Sequence, residues 1–226
     1  MYRSKFLMML LTLVSLPLLH SLVANAQSDE VPKVELAVQF TSITKPDVNN
    51  GATEPGFGGT FTFNLNRSIA LEAVGNFFPR NCRFCGSGPV AGDNSGNITQ
   101  GLVGVKVGKR FEKWGIFGKA RPGIVSFSGG DSRFVDTGAG ISFPFELRRK
   151  RLTNFAADLG GVIEFYPSRR IVTRFEAGDT LIHYGPRQTN FFTFDQITGT
   201  GVLVPFTTRS ETRHNFQFAA GVGWRF

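Results

Sequence analysis

The chain has 226 residues, of which 27 are glycine and 24 phenylalanine, with 19% charged residues and a formal net charge of +8. That aromatic content excludes a disordered chain, and two cysteines are too few to hold a disulfide-built miniprotein. A mean hydropathy of −0.04 is too polar for a bundle of membrane helices, and low charge with abundant Phe and Gly is unusual for a soluble enzyme.

The first 26 residues have the layout of a secretory signal. Arg3 and Lys5 form a basic start, Phe6 to Leu18 an apolar run, and Ala24-Asn25-Ala26 a small-residue cleavage site, so the mature chain is expected to begin at Gln27. A retained membrane anchor is the competing reading, but Ser15, Pro17 and His20 interrupt the apolar stretch. Processing would leave residues 27–226 as one domain of 200 residues, and the loss of Arg3 and Lys5 would lower the net charge to +6. No later segment supplies the roughly 18 consecutive apolar residues of a spanning helix, so any membrane crossing must use strands.

Eight segments alternate with a period of two, which places successive side chains on opposite faces of a strand. The first sets Val34, Leu36, Val38 and Phe40 against Glu35, Ala37, Gln39 and Thr41. The second sets Phe57, Gly59, Phe61, Phe63 and Leu65 against Gly58, Thr60, Thr62 and Asn64. The third sets Ile69, Leu71, Ala73, Gly75 and Phe77 against Ala70, Glu72, Val74 and Asn76, and the fourth Val103, Val105 and Val107 against Leu102, Gly104, Lys106 and Gly108. In the fifth, Trp114 to Phe127, Lys119 and Arg121 share a face, and Pro122-Gly123 predicts a bulge because proline cannot donate to a ladder. The sixth sets Phe155, Ala157, Leu159, Ile163 and Phe165 against Asp158, Gly160, Val162 and Glu164. The seventh sets Ile171, Thr173, Phe175 and Ala177 against Val172, Arg174 and Glu176; Asp179 then falls on the apolar side, which predicts that the strand leaves the membrane or bulges near Gly178. The eighth, Asn215 to Phe226, sets Phe216, Phe218, Ala220, Val222, Trp224 and Phe226 against Asn215, Gln217, Ala219, Gly221, Gly223 and Arg225.

The connections alternate in length. Leu65 to Ser68, Phe111 to Gly115 and Tyr166 to Arg170 are tight; Ser42 to Pro55, Phe78 to Asn97, Ser128 to Thr153 and Gly185 to Arg213 are long. An even strand count with short turns at one end and long loops at the other predicts an eight-stranded, antiparallel, up-and-down transmembrane β-barrel, whose closure leaves no unpaired edge in hydrocarbon.

A soluble barrel would turn its Phe and Val face inward, and a membrane barrel would turn it outward. The opposite face carries Glu35, Glu72, Lys106, Arg110, Lys119, Arg121, Asp158, Glu164, Arg174, Glu176 and Arg225. These near-balanced charges could pair across a lumen that eight strands leave just wide enough for side chains; the plainer alternative is a solvated surface. Glu72, Lys106, Lys119, Arg121, Asp158, Glu164, Arg174 and Glu176 are therefore expected to form a stabilising lumen network rather than a catalytic one. Two aromatic girdles are expected, one with Phe111, Trp114, Phe165, Tyr166, Trp224 and Phe226, the other with Phe40, Phe57, Phe77, Phe155 and Phe216.

Val222-Gly223-Trp224-Arg225-Phe226 resembles the closing strand of bacterial outer-membrane proteins. The eight-strand layout, with Gly160 to Pro167, Arg174 and Gly178-Asp179, resembles the OmpA/OmpX-like outer-membrane barrel superfamily over residues 33–226. That resemblance implies an outer-membrane location and recognition of Trp224 and Phe226 by the barrel-assembly machinery. It does not single out an activity, because the superfamily holds adhesins, stress proteins, small pores and a few lipid-modifying enzymes.

Cys82 and Cys85 lie in the second long loop; export favours a loop disulfide over free thiols, metal binding or redox chemistry. A zinc site would need about four ligands, and only His183 and His214 are at hand in the mature chain. Arg148, Arg149, Lys150 and Arg151 form a basic run in the third long loop. A solvated loop is its plainer reading, and contact with lipopolysaccharide phosphates or another polyanion its sharper one. His183 has no serine nearby, so the pattern of barrel deacylases is not met. The sequence therefore favours a non-enzymatic surface-interaction protein with no cofactor and no nucleic-acid partner. A narrow channel is the alternative, and a lipid-modifying enzyme comes third.

Overall fold

The computed structural model describes residues 31–45, 52–79, 97–136, 145–194 and 201–226. Cys82, Cys85 and the proposed signal segment lie outside the described residues. The strands are β1 (Val34–Lys45), β2 (Ala52–Asn64), β3 (Ile69–Phe78), β4 (Ile98–Arg110), β5 (Trp114–Asp136), β6 (Phe145–Phe165), β7 (Ile171–Tyr184), β8 (Arg187–Phe194), β9 (Gly201–Thr208), β10 (Glu211–Arg213) and β11 (Phe216–Arg225). Each of β1 to β6 pairs antiparallel with its successor. β11 pairs with both β7 and β1, so the sheet closes on itself. β10 prolongs the eighth stave against the outer end of β7. β8 and β9 form a separate hairpin.

Side-chain hydrogen bonds set the tight turns. Asn66 Oδ1 accepts the N–H groups of Ser68 and Ile69 at 2.7 and 2.8 Å. Asn66's counterpart in the β6–β7 turn is Ser168, whose Oγ accepts the N–H groups of Arg170 and Ile171 at 3.3 and 3.2 Å. Such Asx and Ser turns let a strand reverse within a few residues.

Several sequence expectations need correction. Pro122 causes no bulge: Arg121, Pro122 and Gly123 pair in unbroken register with Asp158, Ala157 and Ala156. On the other edge, Leu102 faces Gly123 and Val105 faces Ala120, so the register with β4 is the same on both sides of the proline. Gly104 helps here. A Cβ on it would come within 2.1 Å of the Ala120 carbonyl oxygen and 2.6 Å of Arg121 Cα, so β4 passes β5 more closely than a side chain would allow. The irregularity falls instead between Phe127 and Asp131. Nor does β7 bulge at Gly178: it pairs with β6 in one unbroken register from Thr173 to His183. It continues to Tyr184, because Asp179 finds partners on the outer face: its Oδ2 lies 2.5 Å from His214 Nδ1, and its Oδ1 accepts the Asn215 N–H at 3.0 Å.

The third and fourth long connections are also more ordered than expected. β5 and β6 run on as a protruding ladder to the pair Asp136–Phe145. The segment from Gly185 to Arg213 contains β8, β9 and β10.

Candidate functional site

Alternation now resolves into an inside and an outside. Val38 is 68% exposed, Val103 64% and Phe155 58%, whereas Glu72, Lys106, Asp158 and Glu164 are at most 1% exposed. A water-soluble protein cannot be stable with this distribution, because its large apolar side chains would face water while its charges were withdrawn from it. The distribution fits a bilayer. The chain is an eight-stranded outer-membrane-type β-barrel.

The barrel's lumen is filled in layers. At the end with the tight turns, Glu35 Oε1 lies 3.2 Å from Arg225 Nε and 3.3 Å from Arg110 Nη2, and accepts from Asn64 Nδ2 at 2.9 Å. Arg110 Nε donates to Tyr166 Oη at 2.9 Å, and Tyr166 Oη donates to Glu164 at 2.9 Å. The Arg225 guanidinium stands 4.3 Å from the Tyr166 ring. Tyr166 therefore belongs to the lumen and not to the girdle expected for it. It follows Phe165, and successive residues of a strand point opposite ways.

Above this layer lie the eight residues assigned to the charge network, and the structure brings them together. Arg121 reaches Asp158 Oδ2 at 2.5 Å, Glu176 Oε2 at 2.5 Å and Glu72 Oε2 at 3.2 Å. Arg174 reaches Glu72 at 2.9 Å and Glu176 at 2.5 Å. Lys119 reaches Glu176 at 2.8 Å and Asp158 at 3.0 Å. Lys106 binds Glu164 and lies 3.4 Å from Glu72. Isolated charges in such surroundings would be very costly, and mutual pairing is what makes them tolerable.

The next layer is a chain of neutral hydrogen bonds. Thr60 Oγ1 donates to Gln39 at 3.0 Å, Gln39 to Asn76 at 2.8 Å, and Asn76 to Gln100 at 2.6 Å. Gln100 and Gln217 then exchange amide bonds at 3.0 and 3.1 Å, and Thr180 donates to Gln217 at 2.7 Å. Each amide supplies both a donor and an acceptor, which lets the chain cross the lumen without a charge.

The long-loop end of the lumen is apolar. Ile43, Val74, Phe78, Ile98, Leu102, Val125, Phe127, Ala156 and Ile182 form one buried cluster with Tyr184 packed against it. This cork was not anticipated from the sequence. The Arg187 and Arg213 guanidinium groups lie 5.5 and 5.8 Å from the Tyr184 ring above it.

On the outside, Trp114 and Phe111 stack at 4.3 Å. Trp224 and Phe226, the residues expected to signal assembly, are 48% and 65% exposed, and the Phe226 N–H donates to the Val34 carbonyl at 2.8 Å. The basic run lies on β6 in the protruding ladder rather than in an irregular loop. Arg148 stands opposite Arg133, Arg149 opposite Ser132 and Lys150 opposite Asp131, while Arg151 is exposed. His183 Nδ1 lies 3.0 Å from Thr212 Oγ1. Neither that contact nor the His214–Asp179 pair was legible in advance, because each joins residues about thirty positions apart on strands whose register the sequence does not state.

No protein-family model and no curated protein matches the sequence. Solved structures of similar fold include Ail, the attachment invasion locus protein of Yersinia pestis, in complex with the heparin analogue sucrose octasulfate. It has 10% identity and a TM-score of 0.48, and the match covers 87% of this chain and 100% of that one. Neisserial surface protein A matches at 8% identity with a TM-score of 0.46, over 86% of this chain and 97% of that one. The outer membrane protein OprG from Pseudomonas aeruginosa matches at 9% identity with a TM-score of 0.43, over 88% and 99%.

Proposed function

We propose that this barrel is a closed, non-catalytic anchor in the bacterial outer membrane, and that its extracellular hairpins are the working part. The observation that carries this reading is the filled lumen: an ionic layer, a layer of amides and an apolar cork follow one another along the axis. A water-filled path would have to open all three, and an apolar constriction resists wetting even where it leaves space. The ionisable lumen residues are engaged with one another, which supports a structural role over a catalytic one. The outward Trp224 and Phe226 on the closing stave offer the barrel-assembly machinery an accessible signal during insertion.

Conductance across a planar bilayer tests the closed lumen. The reconstituted chain is expected to show no steady open level comparable with that of a general porin. Sustained porin-sized conductance would replace this reading with the channel alternative.

A further inference from the structure

Inside the lumen each cation is matched by carboxylates, but the tight-turn end of the barrel is not balanced in this way. Among the described residues, the three tight turns and the strand ends leading into them expose Arg67, Lys109, Lys113, Arg169 and Arg170 against one acid, Glu112. Backbone hydrogen bonds set these turns side by side. The Gly108 N–H donates to the Ser68 carbonyl at 2.8 Å, the Tyr166 N–H to the Lys113 carbonyl at 2.9 Å, and the Arg225 N–H to the Arg170 carbonyl at 2.8 Å. The cations therefore form one arc along the rim, from the β2–β3 turn to the start of β7.

Lys109 shows which surface the arc serves. It follows Val103, Val105 and Val107 on the outward face of β4 and is itself exposed. It pairs in register with Ile116, an exposed residue on the outward face of β5. Its backbone thus lies at the edge of the hydrocarbon. Its ammonium stands 5.4 Å from the centre of the Phe111 ring, on the side of the turn. A lysine so placed runs its apolar stem along lipid chains and delivers its charge to the headgroup level. Phe111 in turn stacks on Trp114, an aromatic pair of the kind that marks a membrane interface.

Short turns face the periplasm in barrels of this architecture, so the headgroups at this level belong to the inner leaflet. Neighbouring turns are two staves apart, about 10 Å. That is about one Debye length at 0.1 M salt, so the turns reinforce one another in attracting an anion. A soluble polyanion in the periplasm would meet the tips of the turns but not Lys109, whose outward neighbours are Val107 and Ile116. A lipid phosphate meets both, because its own acyl chains cover those neighbours.

We propose that, in a barrel anchored in the membrane as described above, Lys109, Lys113, Arg169 and Arg170 bind the phosphates of anionic phospholipids in the inner leaflet. The chemistry divides between two kinds of donor. The lysines act as point charges on either side of the Phe111–Trp114 stack, and the arginines of the next turn offer planar forks that donate two hydrogen bonds to a phosphate. In phosphatidylcholine, whose headgroup carries no net charge, the arc gains little.

The test uses the full chain folded in zwitterionic detergent and titrated with phosphatidylglycerol, with bound lipid read by native mass spectrometry. Phosphatidylcholine is titrated in parallel, soluble glycerol 3-phosphate serves as competitor, and heat-dependent gel mobility checks the folding of each variant. Phosphatidylglycerol is expected to bind in preference to phosphatidylcholine. Changing Lys109, Lys113, Arg169 and Arg170 together to Gln is expected to weaken its binding at least about tenfold, since each basic residue near an anionic headgroup is worth about fivefold. Lys109→Arg with Lys113→Arg should keep most of the binding. Lys150, Arg151 and Arg209 are exposed cations at the long-loop end, and changing all three to Gln should alter it by no more than about twofold. Equal affinity for the two lipids, losses at both ends in proportion to the charge removed, or full competition by glycerol 3-phosphate would each overturn the proposal. A folded four-residue variant that still binds phosphatidylglycerol as tightly would refute the headgroup contact alone and leave the closed anchor standing. Failure of the unaltered chain to insert and shift on heating in phosphatidylcholine vesicles would instead sink the anchor.

Discussion

Replacing Arg121 with alanine is expected to destabilise the folded barrel by about 3–5 kcal/mol, the cost of breaking a buried ionic network on one side. The guanidinium is 1% exposed and serves three carboxylates, Glu72, Asp158 and Glu176. Removing it leaves those carboxylates with Lys106, Lys119 and Arg174, which already have other partners. The desolvation cost of the acids stays while part of its compensation goes. Urea unfolding in lipid vesicles, followed by tryptophan fluorescence, measures the loss. Arg169→Ala in the exposed β6–β7 turn provides the contrast and is expected to change stability by at most about 0.5 kcal/mol. Equal effects at the two positions would mean that the lumen is hydrated and its charges screened.

The second large effect concerns the outside. Val103 is 64% exposed and stands between Thr99 near the outer border and Lys109 near the inner one, beside Ala73 on β3. Val103→Arg is expected to cost about 2–4 kcal/mol, because the charge enters the middle of the hydrocarbon, whereas Thr99→Arg near the interface should cost only about 0–1 kcal/mol. In water the order would vanish, since an exposed valine accepts arginine within about 0.5 kcal/mol. The depth dependence therefore reports the solvent of that face directly.

Particular residues show how far the sequence alone carries. The eight staves were legible because one face of each is apolar and the other polar, as in β11, where Phe216, Phe218 and Val222 alternate with Gln217, Ala219 and Gly221. The membership of the charge network was legible for the same reason. Its pairings were not, because Lys106 meets Glu164 across 58 positions and Arg174 meets Glu72 across 102, and such contacts depend on how the sheet is staggered when it closes. The cork escaped because alternation fails as a signal where both faces are apolar: Phe77 and Phe78 are neighbours, as are Ile124 and Val125, yet one of each pair faces out and the other in. Pro122 and Asp179 misled in the same direction. Each breaks a local rule for strands, and in each case neighbouring staves supply what the local rule lacks.

Lipid contact at the tryptophans is the most direct test of the inside-out barrel. The chain has two tryptophans, Trp114 and Trp224, both outward at the short-turn girdle and 42% and 48% exposed. In vesicles of phosphatidylcholine brominated along its acyl chains, their emission should be strongly quenched, and more by bromines near the headgroup than by bromines near the bilayer centre. Emission unchanged in every brominated lipid would contradict the account, because it would place that face in water.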